Sequence, residues 1–122
     1  MLLRNKDRQT LLKIFSLVDT GIEVWAYGSR VNGTAHEGSD LDLVIRSQNG
    51  QKLPMDILMD IKEKIQQSNI PIVVELFDWA RLPESFHANI EAHHEVFFSN
   101  IQRLVNEPSA KYKDPSDRTT QN

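Results

Sequence analysis

The chain has 122 residues, 39% hydrophobic and 25% charged, with 14 Lys and Arg against 17 Asp and Glu for a net charge of −3. This size favours one domain with one modest core, and a mildly acidic chain without a Lys/Arg-rich run speaks against an extended footprint for DNA or RNA. The lack of Cys excludes disulfides and thiolate metal sites, while no apolar run nears the roughly 20 residues that span a bilayer and MLLRNKDRQ is charged too early for a signal peptide, so no membrane association and a cytoplasmic location are expected.

In chain order, Leu11, Leu12, Ile14, Phe15, Leu17 and Val18 recur at helical spacing and predict a helix over about 6–19, closed by Gly21. IEVWAY (22–27) is β-rich and mostly apolar, which predicts a buried strand. Gly28-Ser29 ends it; SRVNGTA reads as a short turn or helix broken near Gly33, and HEGS as a loop. DLDLVIR (40–46) alternates acid with apolar and then runs apolar, the pattern of a second strand. After the turn cluster SQNGQKLP the period changes. Ile57, Leu58, Ile61 and Ile65 share one helical face between Pro54 and Gln67, with Pro54 suited to the first turn and Asp56 and Asp60 on the wet side.

IPIVVELFDWA (70–80) predicts a third strand. A further amphipathic stretch begins near Glu84 with Phe86, Ile90, Phe97 and Ile101 as apolar points, interrupted by a candidate short strand at VFF (96–98). The stripe of Phe86, Ile90 and Phe97 reads as core or as a groove for a partner. Residues 106–122 are polar, carry two prolines and lack periodicity, so disorder is expected there and a single domain over 1–105. The alternation of helices and strands makes an α+β (α/β-like) domain, a small mixed sheet of three to four strands flanked by helices.

The chemistry concentrates in AYGSRVNGTAHEGSDLDLVIR (26–46). Residues i and i+2 of a strand face the same way, so Asp40 and Asp42 project together while Leu41 and Leu43 face the core. Two such carboxylates repel by about 4 kcal/mol at 4 Å with an effective dielectric near 20, a cost that a divalent cation or water offsets. Hard oxygen ligands suit Mg²⁺ or Mn²⁺, and Mg²⁺ uses one or two protein carboxylates with substrate phosphate and water. Gly28 permits a sharp turn and close approach of a ligand, and Ser29 offers a hydroxyl and an N–H at a helix start. Neither feature is specific alone: a bare Asp-x-Asp is commonly a solvated strand face, and a strand-Gly-Ser commonly a plain cap. Glu75, inside the apolar run VVELFDW, is a costly charge without a partner and is read as the third metal or base carboxylate; Asp78, of opposite parity, is the alternative.

Taken together, the spacing Gly-Ser-x(10)-Asp-x-Asp (Gly28, Ser29, Asp40, Asp42) resembles the signature of the DNA polymerase β-like nucleotidyltransferases. The compact length is similar to that of the minimal, MNT-type members, which pair with HEPN proteins in prokaryotic toxin–antitoxin operons. The resemblance runs from roughly Ile22 to Phe98 and includes VELFDWARLPESFHANI. It implies the polymerase β-like palm fold. It also implies that Gly28 and Ser29 contact the β- and γ-phosphates of ATP, that Asp40 and Asp42 bind two Mg²⁺ (or Mn²⁺) ions, and that Glu75 completes the triad. Minimal members often carry Asp at that third place, with Glu in some small-molecule nucleotidyltransferases. Ser39 is commonly Ser in the family and supports the loop or nucleotide; Arg30, flanking the phosphate turn, is a further nucleotide contact. The implied activity is transfer of AMP from ATP to a hydroxyl, a tyrosine of a HEPN-domain toxin, which makes the chain an antitoxin. The alternatives are a small-molecule (aminoglycoside-like) nucleotidyltransferase, or an antitoxin that neutralises by binding alone.

Other residues read more simply. His36, His87, His93 and His94 lack zinc-site spacing and are expected on the surface or on helix faces, His36 being near enough to the phosphate turn for a ligand contact. Trp25 and Trp79 are expected in the core, and Arg46 is expected as a solvated cation able to meet a triphosphate.

Overall fold

The computed structural model describes residues 1–101. The expected tail at 106–122 lies outside the described residues. The elements are α1 (Asn5–Ser16), β1 (Ile22–Tyr27), α2 (Ser29–Asn32), β2 (Leu41–Ser47), α3 (Met55–Gln66), β3 (Val74–Asp78), a single 3-10 turn (Trp79–Arg81), α4 (Glu84–Ala92) and β4 (His94–Ser99). The four strands form one mixed sheet in the order β3-β2-β1-β4. β1 pairs antiparallel with β2 and with β4, and β2 pairs parallel with β3.

Period decides which face each side chain takes. Ile22, Val24 and Ala26 of β1 join Leu41, Leu43 and Ile45 of β2, Leu76 of β3 and Phe97 of β4 on one face of the sheet. Leu11 and Phe15 of α1 and Leu58, Ile61 and Ile65 of α3 cover that face, as their 3.6-residue spacing requires. Phe15 meets Phe97 edge-on at 6.2 Å between centroids. The opposite face carries a smaller cluster of Trp25, Val44 and Ile90, which α4 and the 3-10 turn cover at one end. Among the described residues, no helix covers the remainder of that face.

Three expectations change. The third strand begins at Val74 rather than near Ile70, because Pro71 lacks an N–H for the ladder. The last amphipathic stretch is not one interrupted helix: α4 ends at Ala92, and residues 94–99 form a full strand beside β1. The stripe of Phe86, Ile90 and Phe97 therefore splits. Ile90 packs under Trp25, Phe97 enters the main core from β4, and Phe86 is exposed.

Asn100 ties the last strand to the first. Its buried amide accepts from Ile22 N–H at 2.8 Å and donates to the carbonyls of Val18 and Thr20. No helix among the described residues is long and apolar enough to cross a membrane.

Candidate active site

The open face owes its chemistry to strand register. Tyr27 of β1 stands opposite Asp42 of β2, and Asp42 stands beside Glu75 of β3. Across three neighbouring strands these residues make one row. Asp40 lies two positions before Asp42, just ahead of β2, and strand parity puts it on the same face. Asp40 and Glu75 are exposed and Asp42 is half-buried. Asp78 does not join them. It points to the core side, 2% exposed, and its carboxylate accepts from Leu53 N–H at 2.8 Å, Ala80 N–H at 3.2 Å and Arg81 Nε at 3.1 Å. Asp78 is thus the cap of the 3-10 turn and the anchor of the segment entering α3, which leaves Glu75 as the β3 carboxylate on the site face.

Gly28 closes the strand ahead of this row at φ +80°, the left-handed region that disfavours a side chain. A Cβ placed there would lie 2.4 Å from Asp42 Oδ2, so the glycine is what lets the backbone turn approach the carboxylate. Val31 and Asn32 N–H both bond to the Gly28 carbonyl, and Gly33 stops α2 in the left-handed conformation. Ser29 opens α2 at the mouth of the row, where first-turn amides have no partner within the helix.

The geometry corrects the role expected for Arg30. The side chain is 4% exposed, and its guanidinium donates to the carbonyls of Leu2 (2.6 Å), Glu37 (2.8 Å) and Ser39 (2.9 Å from Nε). It pins the N-terminus and the 36–39 loop to α2, so it positions Asp40 rather than meeting a phosphate itself. Ser39 belongs to the same brace: its hydroxyl accepts from His36 N–H at 3.0 Å and its carbonyl receives Arg30. Ser39 thereby helps hold the loop that carries Asp40.

Electrostatics follow from the row. Burial, then Glu75, then Asp40 raise the pKa of the Asp42 carboxyl above its ordinary value. Burial, with Asp42 and Glu75 behind it, pushes the Tyr27 phenol up to about 12. Tyr27 therefore presents a protonated hydroxyl at physiological pH, beside acids that repel one another. The fit to a divalent cation rests on this donor set: hard oxygens, crowded like charges, and a glycine held against one of them. The expected three-carboxylate cage is not preformed, however. Among the described residues no three His, Asp or Glu side chains gather closely enough to hold an ion by themselves, so a bound cation would need ligands from substrate phosphate and water.

Sequence reasoning passed over Tyr27; its signal was the parity it shares with Trp25, one position before the glycine turn. It also missed a stack further along the face. Arg46 lies between two indoles, its Cζ 4.3 Å from the Trp25 ring centre and 4.6 Å from that of Trp79. His94 stacks on the outer side of Trp25 at 3.8 Å, and His87 on Trp79 at 3.9 Å. Arg46 is thus an aromatic-held cation, not a solvated one, and two of the four histidines are packing partners of tryptophans. Trp25 is a core residue as expected, though of the smaller cluster, whereas Trp79 is only partly buried against it. His36 is exposed and folds into its own loop, its Nδ1 accepting from Gly38 N–H at 3.1 Å.

A mixed four-stranded sheet that aligns acids from its two parallel neighbours beside a glycine-serine turn defines a nucleotidyltransferase of the polymerase β type. Residues 9–103 match the family "Polymerase beta, Nucleotidyltransferase", and the chain belongs to it. The chain is 39% identical over 89 residues to the probable protein adenylyltransferase MntA of Haemophilus influenzae, covering 71% of this chain and 74% of that protein. Two solved structures share the fold. One is a toxin–antitoxin with AMP-PNP, at TM-score 0.60 and 18% identity over 83% of this chain and 77% of that one. The other is a mutant of the toxin–antitoxin MntA-HpeT, at TM-score 0.59 and 16% identity over the same shares.

Proposed function

We propose that the chain is a protein adenylyltransferase that moves AMP from ATP to a hydroxyl, a tyrosine of a HEPN-domain toxin, and thereby acts as that toxin's antitoxin. The observation that carries this reading is the register: Asp42 pairs with Glu75, Asp40 lies two residues upstream, and Gly28 packs against Asp42. The likeness to MntA of Haemophilus influenzae, a probable protein adenylyltransferase, supports the choice of a protein as acceptor.

The residues divide the work as follows. The Gly28-Ser29 turn holds the β- and γ-phosphates. Asp40, Asp42 and Glu75 supply oxygen ligands on one face. Divalent cations, Mg²⁺ or Mn²⁺, would neutralise the phosphates and make the acceptor hydroxyl more acidic when bound there. Glu75, at the exposed outer end of the row, is placed to take the acceptor's proton. The acceptor oxygen bonds to the α-phosphorus, the bond from that phosphorus to the β-bridging oxygen breaks, and pyrophosphate leaves.

The test is to incubate the full chain with α-labelled ATP, Mg²⁺ and the toxin encoded beside it. Label on a toxin tyrosine is expected from the wild type and not from the Asp40→Asn/Asp42→Asn double variant. An unlabelled toxin, or a double variant that neutralises as well as the wild type, would overturn the catalytic reading in favour of neutralisation by binding.

A further inference from the structure

β3 is an edge strand: β2 pairs with one side of it, and no described strand pairs with the other. A groove of about 520 Å³ runs along that free side. Residues of both parities line it, Val74 and Leu76 from the core side and Val73, Glu75 and Phe77 from the open face, so it follows the chain from Val73 to Phe77. Ile65 and Lys62 of α3 form the other wall. Free strand edges are ordinarily blunted by Lys, Pro or a bulge. The span Val74–Asp78 carries no Lys, Pro or bulge; it is protected only by its five-residue length and by the charges of Glu75 and the inward Asp78, while Val73 just before it and Phe77 within it are 58% and 37% exposed.

The phase of the ladder matters here. Leu41 N–H bonds to the Val73 carbonyl at 2.9 Å, so Val73 turns its main chain toward β2. By the alternation of a parallel ladder, Glu75 and Phe77 do the same, and Val74 and Leu76 turn theirs to the groove. A strand added antiparallel would bond to Val74 and Leu76. The residue opposite Glu75 would then occupy a non-hydrogen-bonded pair, where Cα atoms come within about 4.5 Å and side chains lie closest.

We propose that the acceptor binds as an extended peptide added to the free edge of β3, with its hydroxyl residue opposite Glu75. This deepens the adenylyltransferase reading and rests on it for the identity of the site. The register writes a preference for the occupant. Residues two before and two after the hydroxyl lie over Val73 and Phe77 and are apolar. Charge complementarity excludes acids, because Asp40, Asp42 and Glu75 already crowd this face; flanking basic residues are favoured. Main-chain bonds thus supply affinity and alternate side chains supply choice, which is the logic of strand addition.

The experiment uses the full chain, labelled with ¹⁵N, and a synthetic peptide Val-Thr-Tyr-Thr-Val flanked by lysines. Binding is read from the amides of Val74 and Leu76, and AMP transfer to the peptide is measured in parallel with ATP and Mg²⁺. Protection of those two amides from exchange is expected. N-methylating alternate peptide nitrogens of the ligand should weaken binding on the order of tenfold in one phase and leave the other phase unaffected. Phe77→Lys should weaken peptide binding while leaving ATP binding unchanged. Unprotected Val74 and Leu76 amides, or N-methylation without a two-residue period, would overturn strand addition even if AMP is transferred. Protected amides without transfer to the peptide would retain the docking edge but overturn the placement of the hydroxyl opposite Glu75, while labelling of the toxin decides the transferase reading separately.

Discussion

Gly28 and Asp42 touch: a methyl group on the glycine would sit 2.4 Å from the carboxylate oxygen of a residue fourteen positions later. The turn and the acid are therefore one device. Substituting Gly28→Ala meets two obstacles at once, the positive φ and the occupied space. Asp42 must swing away or the turn must open. We expect transfer to fall about 100-fold or more, as for a displacement near 1 Å at a reacting centre, with the fold retained by circular dichroism. Wild-type turnover in Gly28→Ala would show that the two are not coupled.

Asp42 is costly to the fold it serves. Its pKa is raised in the folded chain, so the folded state holds its proton more tightly than the unfolded one. The stability this provides is complete below the ordinary carboxylate value of 3.8 and is lost as pH rises through the raised value. Asp42→Asn removes the ionisation. In metal-free buffer near neutrality we expect it to melt higher, on the order of 2 °C because the carboxylate is partly screened by water, with the difference vanishing toward acid. The same variant should lose transfer. Thermal melts between pH 3 and 8 check the sign; a lower Tm for Asp42→Asn at pH 7 would contradict it.

Arg30 predicts a different signature from a phosphate ligand. Its loss unpairs three carbonyls at once: those of Leu2, Glu37 and Ser39. Arg30→Met should cost about 2–4 kcal/mol in stability and free the 36–39 loop, seen as faster amide exchange at Ser39. A residue that only gripped nucleotide would instead raise KM for ATP and leave the melt unchanged.

Arg46 and Trp25 lie 4.3 Å apart. A double-mutant cycle with Arg46→Met and Trp25→Leu should give a coupling of about 1 kcal/mol by denaturant unfolding. Sensitivity of that coupling to salt should be slight, because Trp25 is buried and shields the pair. A coupling indistinguishable from zero would reduce the stack to mere proximity.

Much of the fold was legible from periodicity. The strand at 22–27 falls where the apolar spacing puts it, the strand read at 40–46 is Leu41–Ser47, and the helix read between Pro54 and Gln67 is Met55–Gln66. The helix read over 6–19 ends earlier, at Ser16. Each buries one face against the same core. The errors cluster where local pattern is silent. Pro71 cut short an apolar run that reads as continuous strand, and the segment from His94 became a strand only because β1 offered it a free edge. The site shows the same division. The Gly-Ser turn and the acids of Asp40 and Asp42 announce themselves by spacing, whereas the bracing role of Arg30 and the stack around Arg46 depend on neighbours far along the chain.

The sequence alone determined that Asp40 and Asp42 share a face, since a strand's period is two and nothing beyond the local backbone is needed. It determined too that Gly28 could take a conformation other residues avoid. Only the tertiary structure decided that Glu75, and not Asp78, stands in their row. That choice depends on the parallel register of β2 with β3, which is set by how Leu41, Leu43 and Leu76 bury themselves under α1 and α3. A slip of one residue would have turned Glu75 to the core side and set Val74 or Leu76 beside Asp42.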